Sequence, residues 1–149
     1  MKFRGNYAFL SNFHPAEVTI RLLDGSVRSV PTVEHGFQAM KCQYLSQQVE
    51  IAECVTPVLA KRMAGQIAPR EDWLERRYDI MSKLVLQKFK YYPELQAQLL
   101  ATGQMPLVED NEWHDNYWGN CTCQRCSANN GNNMLGKILM EVREELSNG

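Results

Sequence analysis

The stretch that decides the fold is Pro31-Thr32-Val33-Glu34-His35-Gly36-Phe37-Gln38-Ala39-Met40-Lys41. Proline cannot continue a central strand, and threonine is a residue type that caps helix N-termini. From Val33 onward, apolar residues recur at helical spacing at Phe37, Met40 and Tyr44. The pattern predicts an amphipathic helix whose apolar stripe faces the core.

The residues before this helix predict a β-hairpin. Residues 17–23 alternate between polar and apolar side chains, and a second short run covers residues 27–30. Asp24-Gly25 lies between the runs, and this pair tolerates the positive φ angles that tight turns need. We therefore expect a small antiparallel sheet near the N-terminus.

The residues after this helix predict further helices at 47–54, 58–65, 71–91, 93–103 and 133–146. In 71–91 and 133–146 the apolar residues form a stripe along one face of the helix. Residues 110–133 instead concentrate Asn, Asp, Cys and Gly around Trp113, Tyr117 and Trp118, which is typical of a binding loop. The predicted fold class is α+β. We expect a compact, mostly helical single domain over residues 1–149, with an N-terminal β-hairpin or small sheet.

Charge and apolar content narrow the class of protein. The 149 residues carry a formal net charge of -1, which argues against a protein that grips duplex nucleic acid by neutralising many phosphates. The N-terminal segment lacks the apolar core of a signal peptide, and no apolar run approaches the length of a membrane span. We therefore expect a cytoplasmic protein without a membrane partner.

Glu34 and Lys41 are the first candidate catalytic pair. They lie seven positions apart in one helix, so their side chains project within about 20° of each other, with Gln38 between them. A carboxylate and an amine together can do acid, base or nucleophile chemistry. Spacing alone favours a plainer interpretation, a surface pair that stabilises the helix by a few tenths of a kcal/mol.

The five cysteines are the second notable feature. Without a secretory signal they are expected to be reduced thiols or metal ligands. Cys121, Cys123 and Cys126 form a C-x-C-x-x-C motif that could supply three thiolates to a structural zinc ion. Because the motif itself offers only three ligands, free thiols are the favoured interpretation. The candidate fourth ligands are His114, Cys42 and Cys54.

Several segments together resemble the NADAR family, in the right order and over nearly the whole chain. They are Arg4-Gly5 and residues 9–13, 31–41, 70–73, 117–119 and 133–140. The resemblance implies a mostly helical α+β domain with N-glycosidase activity on a bond between ribose C1 and nitrogen, and no required cofactor.

The resemblance also implies site residues. Glu34 and Lys41 match the family's catalytic positions, which reverses the preference for a surface pair. The chain departs from many relatives at residues 121–126, where a glycine-rich loop is expected. The predicted substrate-binding residues are the matching Arg4, Gly5, Asn12, Trp73, Trp118 and Gly119, together with the polar Gln38 and Asp115.

Two substrate classes are associated with the family. They are ADP-ribose attached to guanine in nucleic acid, and ribosylamino-pyrimidine phosphates of riboflavin synthesis. The aromatic loop and the cysteine insertion favour the first, which implies an antitoxin or repair enzyme paired with an ADP-ribosyltransferase toxin. Two other classes of protein stay open: a catalytically silent reader of ADP-ribose or nucleotides, and a zinc-stabilised interaction module.

Overall fold

The computed structural model describes residues 1–126 and 130–149, which divide into two compact units. We call Asn12–Lys88 the hairpin unit, and Met1–Ser11 with Phe89–Gly149 the terminal unit. Helices predominate and a two-stranded antiparallel sheet accompanies them, so the predicted α+β class is confirmed. That residues 1–149 form a single domain stays a prediction.

The hairpin unit begins with the predicted sheet. Strand β1 (Val18–Arg21) pairs antiparallel with strand β2 (Val27–Val30), with Val18 opposite Val30. Gly25 lies between the strands with a φ of 85°, a conformation that suits glycine at low cost. The predicted hairpin is confirmed.

Helices follow the sheet, and capping hydrogen bonds fix where two of them begin. The Thr32 hydroxyl accepts from the His35 amide at 3.1 Å, and the Thr56 hydroxyl accepts from the Leu59 amide at 3.1 Å. Each bond satisfies an amide that has no partner within its helix. The helices are α1 (Val33–Met40), α2 (Leu45–Ala52), α3 (Pro57–Ala64) and α4 (Trp73–Tyr91).

Helix α1 differs from the prediction in two ways. It ends at Met40, so Tyr44 lies outside it as the N-cap of α2, and the Tyr44 side chain is 62% exposed. The predicted stripe therefore ends before Tyr44. The second difference is that α1 is buried on nearly all sides, so that Glu34, His35 and Gln38 are buried together with the apolar residues.

The terminal unit contains a 3-10 helix (Gly5–Leu10), α5 (Pro93–Ala101) and α6 (Met134–Asn148). Two short strands, β3 (Asp110–Asn111) and β4 (Asn120–Cys121), pair in parallel inside the predicted loop of residues 110–133. The sequence did not predict them, because strands of two residues show no alternation. Residues 127–129 of that predicted loop lie outside the described residues.

The predicted apolar stripes of the long helices face the core. In α4 the buried residues include Ile80, Met81 and Leu84, and in α6 they include Leu135 and Ile138. Among the described residues, none of the helices combines the length and the apolar character that crossing a membrane requires.

Gly136 is a packing glycine in the first turn of α6. A Cβ at this position would lie 2.1 Å from the carbonyl oxygen of Leu107 and 2.2 Å from Nδ2 of Asn133. The Asn133 side chain is itself fixed, since Nδ2 donates to the Leu107 carbonyl at 2.9 Å and Oδ1 accepts from the Glu109 amide at 3.0 Å. These neighbours leave no room for a methyl group.

We expect Gly136→Ala to lower the free energy of unfolding by about 2 kcal/mol or more, because the backbone or Asn133 must shift. The matched control is Gly65→Ala, since a Cβ on Gly65 would lie 3.4 Å from the backbone oxygen of Arg62, which leaves room for a methyl group. Urea unfolding of both variants measures the difference. Equal stability of the two variants would contradict this packing role.

Candidate active site

The predicted site residues divide between the two units. The hairpin unit holds Asn12, Glu34, Gln38, Lys41 and Trp73, and the terminal unit holds Arg4, Gly5, Asp115, Trp118 and Gly119. The roles of all ten residues stay predictions.

Glu34 is a buried carboxylate in the first turn of α1, with 6% of its surface exposed. The Gln38 side-chain amide donates to Oε1 of Glu34 at 2.8 Å, one helical turn further along. The backbone amide of Glu34 donates to the carbonyl of Asn12 at 3.1 Å. Since a buried carboxylate is costly without a donor such as Gln38, this arrangement favours a functional group over a solvated surface charge.

Lys41 lies at the other end of α1, as its C-cap. Its Nζ donates to the carbonyl of Ala64 at 3.2 Å, and its own carbonyl accepts from the Arg70 amide at 2.9 Å. The amine is thus held at the C-terminal end of α3, where carbonyl groups attract a cation. Lys41 is half-buried, unlike the exposed side chain of a surface ion pair.

Asn12 and Trp73 are fixed beside the same helix. Nδ2 of Asn12 contacts Sδ of Met81 in α4 at 3.4 Å, while its carbonyl accepts from Glu34. Trp73 is buried, and its ring lies 4.9 Å from the ring of Phe37. Trp73 therefore anchors α4 to α1, and its packing accounts for its position whether or not it contacts substrate.

A groove of about 350 Å³ lies next to the C-terminal end of α1. Arg70 and Asp72 form an ion pair in this groove, with Nη2 of Arg70 3.0 Å from Oδ2 of Asp72. The hydrogen bonds from the guanidinium lower the pKa of the Asp72 carboxyl group. The groove is lined by Leu23, Cys42, Gln43, Arg70, Glu71 and Asp72.

In the terminal unit, Asp115 organises the aromatic loop. Its Oδ1 accepts from the backbone amides of Tyr117 at 3.1 Å and Trp118 at 2.9 Å. The two rings pack edge to face, with centroids 4.7 Å apart. Trp118 is only half-buried, and Trp113 on the same loop is 59% exposed. The loop therefore presents aromatic surface on a fixed backbone, as stacking on a base would require.

Gly119, Gly5 and Arg4 complete this group. A Cβ on Gly119 would lie 2.3 Å from the Glu109 carbonyl oxygen, so glycine is required here for packing alone. Gly5 has a φ of 60°, which favours glycine, and Arg4 beside it is exposed. The structure also gathers Cys121, Cys123 and Cys126 around His114 in this unit.

Lys88 is a candidate functional residue that the sequence analysis missed. It lies on α4, is 1% exposed, and burial lowers the pKa of its amine to about 7. His14 lies close enough that the Lys88 charge, after burial, lowers the His14 pKa. The sequence held a signal: Lys88 follows Met81 by seven residues, which places a lysine on the apolar face of α4.

Comparison with known proteins identifies the family. The model of the NADAR domain matches residues 2–147. The N-glycosidase YbiA of Escherichia coli is 35% identical over 144 residues, which cover 95% of this chain and 83% of YbiA. The chain therefore belongs to the NADAR family, as its sequence motifs predicted.

A solved structure and a second relative are also similar to this chain. The NMR structure of E. coli YbiA superimposes with a TM-score of 0.77 at 36% identity, covering 99% of this chain and 84% of that one. A riboflavin biosynthesis protein of Vibrio vulnificus is 34% identical over 143 residues, but the chain spans only 36% of its length. Because full-length relatives are named N-glycosidases, the prediction of a hydrolase acting on N-glycosyl bonds is confirmed for this family.

The lowered pKa of Lys88 predicts how stability depends on pH. The folded amine loses its proton near pH 7, whereas the unfolded amine keeps it to about pH 10.4. Between these values the unfolded state binds more protons, so this lysine makes the free energy of unfolding rise with pH, by on the order of 3–5 kcal/mol.

We expect Lys88→Met to remove most of the increase of the free energy of unfolding with pH. The control is Lys83→Met, which changes an exposed lysine of the same helix and should retain that increase. Urea unfolding at several pH values from 6.5 to 10 measures the two slopes. If Lys88→Met and Lys83→Met show the same pH dependence, the Lys88 amine is not neutral in the folded protein.

Proposed function

We propose that this protein hydrolyses the bond between ribose C1 and the base in ADP-ribosylated guanine, and so reverses a modification made by an ADP-ribosyltransferase toxin. The observation that carries the proposal is the buried Glu34 carboxylate, which accepts a hydrogen bond from Gln38 while the Glu34 backbone amide donates to the carbonyl of Asn12. Cleavage of an N-glycosidic bond needs a group that moves protons, and a positioned carboxylate can do this.

The aromatic loop supports a substrate that contains a nucleic-acid base. Trp113 is mostly exposed, and Trp118 is held by Asp115 without being fully buried. Aromatic faces stack on bases of nucleic acids and contribute about 1–3 kcal/mol per base. The net charge of -1 favours local contact with a single modified nucleotide over tight binding of a long duplex.

The covalent version of the mechanism uses a lysine amine. The neutral amine attacks ribose C1, the C1–nitrogen bond to guanine breaks, and Glu34 delivers a proton to the departing base. The ring opens to an imine between C1 and the lysine, and water then hydrolyses the imine to release the sugar and the free amine. Atoms balance with water as the only co-reactant.

Lys41 is the proposed nucleophile, because it shares helix α1 with Glu34. Lys88 is a second candidate, because an amine with a pKa of about 7 is largely neutral at physiological pH. Asn12 contacts the helices that carry Glu34 and Lys88. Its carbonyl accepts from the Glu34 amide of α1, and its side chain contacts Met81 of α4, two turns before Lys88. In a milder version Glu34 acts alone and Lys41 orients substrate phosphates.

The named relatives favour a second candidate substrate. The Vibrio vulnificus relative is named a riboflavin biosynthesis protein. A ribosylamino-pyrimidine phosphate carries the same kind of bond, so the same residues could cleave it.

We expect the wild-type protein to release ADP-ribose from DNA that carries ADP-ribosylated guanine and to restore the guanine, but to leave the ribosylamino-pyrimidine phosphate intact, as followed by mass spectrometry. Turnover of the second substrate alone would replace the antitoxin role with a metabolic one. Binding of ADP-ribose without turnover of either substrate would mean a silent reader.

Borohydride trapping tests the covalent step. Reduction during turnover should fix the ribose on a lysine as a stable secondary amine, which peptide mapping by mass spectrometry assigns to one residue. We expect the label on Lys41, lost in Lys41→Met and retained in the control Lys83→Met. Label on Lys88 would transfer the nucleophile's role to that residue, and active enzyme without any adduct would leave only the milder version.

A further inference from the structure

The strongest unassigned feature of the terminal unit is a group of sulfur and nitrogen atoms, which we call the cysteine cluster: His114, Cys121, Cys123 and Cys126. One ligand atom from each residue lies within 4.8 Å of all the others. Nδ1 of His114 is 3.8 Å from Sγ of Cys121, 3.3 Å from Sγ of Cys123 and 3.4 Å from Sγ of Cys126. One nitrogen therefore faces all three sulfur atoms.

These distances are close to the nitrogen–sulfur edges of a zinc tetrahedron. With Zn–S bonds of about 2.3 Å and Zn–N bonds of about 2.0–2.1 Å, tetrahedral angles place nitrogen about 3.6 Å from each sulfur. The three distances from His114 bracket that value.

The backbone around the cluster is fixed. Strands β3 and β4 bring Asn111 beside Cys121, and Asn111 is 1% exposed. Its Oδ1 accepts from the Asp115 amide at 3.2 Å, and its carbonyl accepts from the Thr122 amide at 2.7 Å. Oδ1 of Asn116 accepts from the Cys121 amide at 2.8 Å. The ligands thus come from a loop whose two ends are tied together.

His114 itself adopts a conformation that needs a compensating interaction. Its φ is 69°, in the left-handed region that residues other than glycine seldom adopt, at a cost of about 1–2 kcal/mol. This conformation accompanies the placement of Nδ1 against the three sulfur atoms. Coordination of a metal would offset the cost.

The other two cysteines are occupied elsewhere. Sγ of Cys42 donates to the Gln38 carbonyl and Sγ of Cys54 to the Glu50 carbonyl, each at 3.5 Å. Of the three candidate fourth ligands, His114 is the one that the structure places beside Cys121, Cys123 and Cys126.

We propose that this protein binds one Zn²⁺ through Nδ1 of His114 and the thiolates of Cys121, Cys123 and Cys126. Four protein ligands leave no open position, so the ion is structural and the three thiols release their protons when it binds. The ion would fasten the loop that carries Asp115 and Trp118. The proposal does not depend on the proposed function.

Metal content and cobalt spectroscopy of the full chain test it. Protein purified without an affinity tag from zinc-supplemented culture should contain about one zinc per chain by mass spectrometry of the metal. Cobalt(II) exchanged into the site should give the intense visible bands of tetrahedral thiolate coordination. Hydrogen exchange at the amides of Trp118 and Cys121 should become faster when a chelator removes the metal.

Variants identify the ligands. Cys123→Ser should lower the zinc content below about 0.2 per chain, while the matched control Cys54→Ser keeps it. His114→Cys keeps four ligands, so it should retain zinc and intensify the sulfur-to-cobalt charge-transfer band, which tests His114 even if Cys123→Ser does not fold. Wild-type protein that holds less than about 0.2 zinc after reconstitution under reducing conditions, or that forms a disulfide within the cluster, would overturn the proposal.

Discussion

The burial of helix α1 on nearly every side is the constraint on which the hairpin unit depends. The helix carries polar residues into the core, so each of them must find a partner there. His35 shares a hydrogen bond of 2.8 Å with the Thr32 hydroxyl and another of 2.8 Å with the Cys54 carbonyl, while Gln38 donates to Glu34. Gly36 completes the arrangement, because its Cβ would lie 3.2 Å from Ile20 and 3.3 Å from Leu84. A carboxylate held in this way is rigid and water-poor.

A corresponding constraint governs the terminal unit at the start of α6. The carbonyls of Tyr117, Trp118 and Gly119 accept from the amides of Met134, Leu135 and Asn133, so the aromatic loop caps the helix. Glycines allow two backbone segments to lie close together at three positions, since a Cβ on Gly119, Gly131 or Gly136 would lie within 2.3 Å of a backbone oxygen. The described residues of this long, polar loop are thus tied to the start of α6 by backbone hydrogen bonds. The zinc ion that we propose would hold the same loop at a second place, through His114 and the three cysteines.

The sequence predicted the features that follow a repeating pattern. The hairpin, the stripes of α4 and α6 and the family motifs were all visible, because each depends on spacing along the chain. The burial of Glu34 was not predictable, since the spacing of residues along α1 does not show which other elements cover its polar face. Lys88 was overlooked for a related reason: its spacing places it on the apolar face of α4, but only the structure shows that its side chain is buried there. For the cysteines, the motif gave three ligands, but choosing His114 over Cys42 and Cys54 required distances in space.

The central claim is that Glu34 is buried for chemistry and not for stability. Its most direct test is to measure both kcat on ADP-ribosylated guanosine and the thermal midpoint of Glu34→Gln, with the exposed Glu50→Gln as control. Glutamine keeps the shape and loses the charge, so the account predicts that kcat falls at least about 100-fold while the midpoint does not fall. A lower midpoint with unchanged kcat would make Glu34 a structural residue and would contradict the account.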